Sequence, residues 1–254
     1  MAHASQPMTI AEMRAYLERV DRHGREQGPV LPFGVEDIDS RLPHGGLERG
    51  HLHEAIEAGA ASQYAGLATL FVAGILARMP GPALWCLRGR DLFAPALARV
   101  GLHPDRVIFC ETRKDREVLP AMEEALKCKG LAGVVGEVSR LSLNASRRPQ
   151  LCAGQSGVTA LIIRRWSNTA EKSGAGEPNA AATRWRIAPH PSPPVSGFDG
   201  LARQWWQLDL LRVRGGEPHS WVLEAYDATG HLALPAALAD RSAAASDERR
   251  AVTG

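Results

Sequence analysis

Residues 133–165 read GVVGEVSRLSLNASRRPQLCAGQSGVTALIIRR. Two apolar runs, Gly133–Val138 and Val158–Arg165, flank a polar stretch long enough for a helix. Both runs are rich in β-branched residues and show little polar/apolar alternation. A strand of that kind is covered on both faces, as in a parallel sheet between two helical layers. Residues 147–155 suggest the helix that a parallel crossover needs, so the segment reads as a β-α-β unit.

The same rhythm runs upstream. Gly66–Arg78 reads as a helix, Ala83–Leu87 as a short buried strand, Leu92–Val100 as a helix, Arg106–Cys110 as a strand and Arg116–Lys127 as a helix. The pattern changes after Trp166. Residues 167–182 are rich in Ser, Gly, Asn and Ala and are expected to form a mobile loop. Arg184–Ala188, Trp205–Arg214 and Ser220–Tyr226 then read as strands, the last two joined by the turn former Gly215-Gly216-Glu217-Pro218. The predicted fold is α/β, a mainly parallel sheet flanked by helices with antiparallel strands at its C-terminal edge.

Three regions are expected: residues 1–28 with an N-terminal helix, a main domain over 29–234, and an Ala-rich disordered tail over 235–254. Thr9 and Glu12 form a capping box for that first helix. Its apolar stripe, Ile10, Met13, Leu17 and Val20, is narrow and packs either on its own domain or on another protein. Those four residues are the candidate partner-binding set.

The 254 residues are 44% hydrophobic and 23% charged, as in a soluble globular protein, and the net charge of +2 gives no strong field. Any nucleic-acid contact must therefore come from a local patch. Cys86, Cys110, Cys128 and Cys152 form no C-x-x-C pair, which argues against zinc and for buried thiols in a reducing compartment. The longest apolar run, Ala65–Ala77, is too short to cross a bilayer, and no secretory signal is visible. A cytoplasmic protein with no membrane partner is expected.

Several strings stand in a telling order. Gly34-x-x-x-Ile38-Asp39-x-x-Leu42-x-x-Gly45-Gly46-Leu47-x-x-Gly50-x-Leu52-x-Glu54 comes first, followed by Ala98–Leu102, Gly133-Val134-Val135 and Gly157–Ile163. Together they resemble the RecA recombinase core, which implies a RecA-like fold over roughly residues 30–230. A phosphate loop needs G-x-x-x-x-G-K-[ST]: glycines free backbone N–H groups for the phosphates, lysine neutralises them, and the hydroxyl binds magnesium. The corresponding stretch, Glu57-Ala58-Gly59-Ala60-Ala61-Ser62-Gln63-Tyr64-Ala65-Gly66, has no lysine, and Glu57 brings a repulsive carboxylate. Gly136 stands where the magnesium-binding acid should follow Val134-Val135, with Glu137 alternating onto the opposite face. Gly89 replaces the water-activating acid after Ala83–Leu87. The set Glu57, Gly59, Ser62, Gln63, Gly136 and Glu137 thus reads as a degenerate nucleotide site with no catalytic residue and no cofactor, and the chain as a non-enzyme.

Phe33-Gly34…Ile38-Asp39…Leu42-Pro43-x-Gly45-Gly46-Leu47…Gly50-x-Leu52-His53-Glu54, with Thr159-Ala160-Leu161…Arg164-Arg165-Trp166 and Trp185-Arg186-Ile187, resembles the ImuA family of damage-inducible mutagenesis proteins. The resemblance implies a non-catalytic adapter in SOS-induced error-prone translesion DNA synthesis. The implied partners are an ImuB-like Y-family protein, RecA and an error-prone replicative-type polymerase.

Arginines lie beside tryptophans at Arg164-Arg165-Trp166, Arg184-Trp185-Arg186 and Arg203 before Trp205-Trp206. These are candidate contacts for single-stranded DNA by stacking and phosphate pairing, or for a protein partner. The competing reading is core or edge packing with arginines across the rings. A single-stranded-DNA binding module and a residual ATP-binding switch therefore stand as alternatives to the adapter. His51 and His53 share a strand face without a third ligand nearby and read as structural, as do Asp39 in a turn and Glu54 in a hydrogen bond.

Overall fold

The computed structural model describes residues 29–59, 64, 66–89, 92–165, 177–192 and 203–235. β1 (Val30–Leu31) and β2 (Leu47–Glu48) pair as a small antiparallel ribbon around the short helix α1 (Glu36–Asp39). Asp39 braces this entry as expected, its carboxylate accepting from the Phe33 and Gly34 backbone N–H groups at 2.7 and 2.9 Å.

The large sheet contains β3 (Leu52–Glu57), β4 (Ala83–Leu87), β5 (Val107–Glu111), β6 (Gly133–Val138), β7 (Thr159–Arg164), β8 (Thr183–His190), β9 (Trp205–Val213) and β10 (His219–Glu224). Their spatial order is β10-β9-β8-β3-β7-β6-β4-β5. Pairing is parallel from β8 through β5 and antiparallel from β8 to β9 and β9 to β10. This is the expected α/β architecture, with a mostly parallel mixed sheet consistent with a RecA-like core.

Helix α2 (Leu67–Ala77) covers one face, and α4 (Asp115–Ala125) and α5 (Leu143–Ser156) cover the other. Buried residues surround α2 on every side, from Leu67 and Phe71 to Val72 and Ile75, as suits a helix enclosed between the sheet and another layer. Tyr226 supplies part of that layer. A Cβ on Gly74 would lie 2.3 Å from its ring, so glycine lets the ring rest on the helix. Phe33, Phe71, Trp185, Trp206 and Trp221 fill the same core.

Two helices differ from expectation. Over Leu92–Val100 only one α-turn forms, α3 (Ala94–Leu97), continued by a 3-10 turn. Pro95 has no N–H to give to a turn before it, and left-handed Gly101 stops the chain at the other end. Helix α5 begins earlier than residue 147, because the Ser142 hydroxyl caps it by accepting from the Ala145 N–H. Among the described residues no helix is long and apolar enough to cross a membrane. The N-terminal helix with Ile10, Met13, Leu17 and Val20, residues 167–176 of the loop and nearly all of the tail lie outside the described residues.

Candidate functional site

Parallel strands bring their carboxyl ends to one edge, and Glu57 and Glu137 meet there. Alternation on β6 turns Val135 toward α2 and Val134 toward α4. Glu137 shares the side of Val135. Gly136 takes the other side, where an added Cβ would meet Met122, Ile162 and Val118. The expectation that Glu137 turns away from the phosphate-loop segment is therefore corrected. Glu57, at the start of that segment, shares the α2-side face of the sheet with Glu137, and Gly136 faces away.

Glu137 does not stand alone there. Arg165, one residue beyond β7, donates from Nη1 to Glu57 Oε1 at 2.7 Å and from Nε to Glu137 Oε2 at 2.9 Å. The Trp85 indole N–H on β4 donates to Glu137 Oε1 at 2.7 Å. Glu57 is fully buried, Glu137 nearly so, and the Arg165 side chain is 24% exposed. Burial disfavours the charge on Arg165. Hydrogen bonds and the charges of Glu137 and Glu57 outweigh that, holding the guanidinium more firmly protonated than a free one. A guanidinium bridging two carboxylates fixes geometry well, but it is a permanent cation and cannot exchange protons as an acid or base.

At the entrance, the Tyr64 ring lies against Gly59, so that a Cβ on Gly59 would be 2.5 Å from it. Ser62 and Gln63 lie outside the described residues. Gly89 follows β4 with no carboxylate of its own, as the sequence shows.

A second network occupies the opposite face. Glu54, fully buried, receives Arg184 Nε at 2.5 Å, Asn179 Nδ2 at 2.7 Å and Arg164 Nη1 at 3.4 Å. The expected structural hydrogen bond of Glu54 is thus a buried ionic cluster. His53 engages both ring nitrogens, Nδ1 with Thr183 Oγ1 at 2.8 Å and Nε2 with the Glu48 carbonyl at 2.7 Å. Burial pushes its pKa down to about 3.

The arginine–tryptophan set divides along the same alternation. Trp185 and Trp206 point into the α2-side core and are 1% exposed, so neither ring can stack on a base. That removes both from the candidate contact set. Trp205 is half-buried and stacks on His190 across the β8–β9 pair. Arg186 binds Asp209 at 2.8 Å. Burial raises the Asp209 carboxyl pKa, yet hydrogen bonds from Ser220, Gln207 and Arg186 more than offset it and leave it below the usual range. Trp166 lies outside the described residues.

Sequence reasoning missed the roles of Arg165, Trp85 and Asn179. One signal was available: Glu57, Glu137 and Arg165 each fall at the carboxyl end of a predicted parallel strand, where side chains from separate β-α units converge.

No family model matches the chain. Protein ImuA of Caulobacter vibrioides, strain NA1000 / CB15N, is 35% identical over 237 residues, covering 89% of this chain and 97% of the relative. Protein ImuA of a second strain, ATCC 19089 / CIP 103742 / CB 15, matches equally. The chain belongs to the ImuA family. Membership supports a role in the damage-inducible mutagenesis system.

Proposed function

We propose that the chain is a non-catalytic adapter in SOS-induced error-prone translesion DNA synthesis, bridging an ImuB-like Y-family protein, RecA and an error-prone replicative-type polymerase. One observation carries the non-catalytic part. The two carboxylates at this strand edge already share the single positive charge of Arg165, and the stretch from Glu57 to Gly66 carries no lysine to hold a triphosphate. A nucleotide entering there would have to separate a buried ion-paired cluster and meet its carboxylates. Exposed apolar side chains support the binding part: Ile108 and Phe109 on edge strand β5 are 50% and 43% exposed, with Phe93 nearby in sequence to the cavity-lining Leu92.

The test is co-purification of the full chain with the Y-family-like protein and with RecA from the same genome, with and without ATP. Stable nucleotide-independent complexes are expected. Failure to bind either partner, together with measurable ATP turnover, overturns the adapter reading.

A further inference from the structure

Cys86 on β4 and Cys110 on β5 are direct register partners in adjacent parallel strands. Both sit on the sheet face toward α4, Cys86 fully buried with Val118 and Met122 and Cys110 half-buried against that cluster. Burial, followed by the neighbouring Cys110, pushes the Cys86 thiol up to about 12. Cys86 therefore rests as a protonated thiol without solvent access. Cys110 has access, because β5 ends the large sheet and its neighbours Ile108 and Phe109 are exposed.

Adjacent strands lie about 4.8 Å apart, within the roughly 4.4–6.8 Å Cα separation that a disulfide spans. In a parallel pair the two Cβ atoms stand side by side, so closing the bond requires a small movement. Edge strand β5 has a single strand neighbour, β4, among the described residues and can make it.

We propose that Cys86 and Cys110 are a redox modification site, closing into a reversible cross-strand disulfide when the protein meets a hydroperoxide. The accessible Cys110 sulfur attacks the peroxide, the O–O bond breaks, and Cys110 becomes a sulfenic acid while one molecule of alcohol or water leaves. The Cys86 sulfur then attacks the sulfenic sulfur. The S–S bond forms, the S–O bond breaks, and water departs with the Cys86 proton. The two thiols lose two electrons, and the peroxide is reduced by them. A bond that needs strand movement is strained, so it reopens readily with a dithiol reductant. Its closure ties the edge strand covalently to the sheet.

The experiment treats the full chain with hydrogen peroxide, blocks remaining thiols, and maps the peptides without reduction. The expected product joins the β4 and β5 peptides and disappears after dithiothreitol. Cys110→Ser, at a half-buried position, abolishes it. Cys86→Ala leaves a dimedone-reactive sulfenic acid on Cys110. A Cys128→Ser, Cys152→Ser double variant forms the bond undiminished. Oxidation confined to Cys128 or Cys152, or Cys110 advancing to sulfinic acid in the unaltered chain with Cys86 still a thiol, overturns the proposal.

Discussion

The Arg165 guanidinium lies 2.7 Å from the Glu57 carboxylate, although 108 positions separate them along the chain. Glu57 ends β3 and Arg165 follows β7, and those strands are parallel neighbours whose register pairs Ile56 with Arg164. Each residue stands one position past that pair, so the register itself delivers the contact. Glu137 joins from β6, the next strand out, where Ile163 is its register partner.

Removing Arg165 should cost more than a surface ion pair would. Arg165→Met leaves two buried carboxylates without their cation, and breaking such a pair typically costs about 3–5 kcal/mol. Urea unfolding measures it. The triple variant Arg165→Met, Glu57→Gln, Glu137→Gln should recover a large part of the loss, since no charge is then left unpaired. A single-variant loss below about 1 kcal/mol, the range of exposed pairs, shows the cluster to be solvated.

Stability should fall in mild acid through His53. Its folded pKa is depressed to about 3, from an unfolded value of 6.5. The unfolded chain thus binds a proton that the folded chain refuses. The stabilisation is complete above pH 6.5 and is lost as pH falls toward 3. Each pH unit in that window costs about 1.4 kcal/mol from this one group. Unfolding free energies at neutral pH and in mild acid should differ by about 2 kcal/mol, and His53→Gln should flatten the dependence. An unchanged slope in the variant excludes His53 as the source.

ATP turnover should stay at background. Arg165 cannot act as a base, and the segment from Glu57 to Gly66 offers no lysine. A phosphate-release assay with and without single-stranded DNA reads this directly. Turnover that disappears in Glu137→Ala or Gln63→Ala means the site is catalytic after all.

The N-terminal stripe should serve a partner and not the core. Met13→Asp with Leu17→Asp is expected to abolish binding of the Y-family-like protein or RecA while leaving the thermal transition of the domain in place. Circular dichroism and a pull-down on the same preparation separate the two effects. Loss of the folded transition assigns the helix to its own core, and intact binding moves the interface elsewhere.

Periodicity in the sequence was enough to set the order of strands and helices from Gly66 onward, whereas the central strand β3 (Leu52–Glu57) did not emerge from it. The apolar runs Gly133–Val138 and Val158–Arg165 can be buried only between two layers, and the Gly215–Pro218 turn closes the hairpin at the antiparallel edge. Absence of the phosphate-loop lysine was equally legible, since a missing side chain needs no coordinates. The faces were harder. Alternation correctly separated Gly136 from Glu137, but which face carries α2 depends on how the crossover packs, and only the tertiary structure decided it. Tertiary structure also decided the partners. Arg164, Arg165 and Arg184 look alike beside tryptophans in the sequence, yet Arg165 joins Glu57 and Glu137 while Arg164 and Arg184 close on Glu54 across the sheet. Charges separated by a hundred residues are paired by strand register and low local dielectric, neither of which is written in any local stretch of the chain.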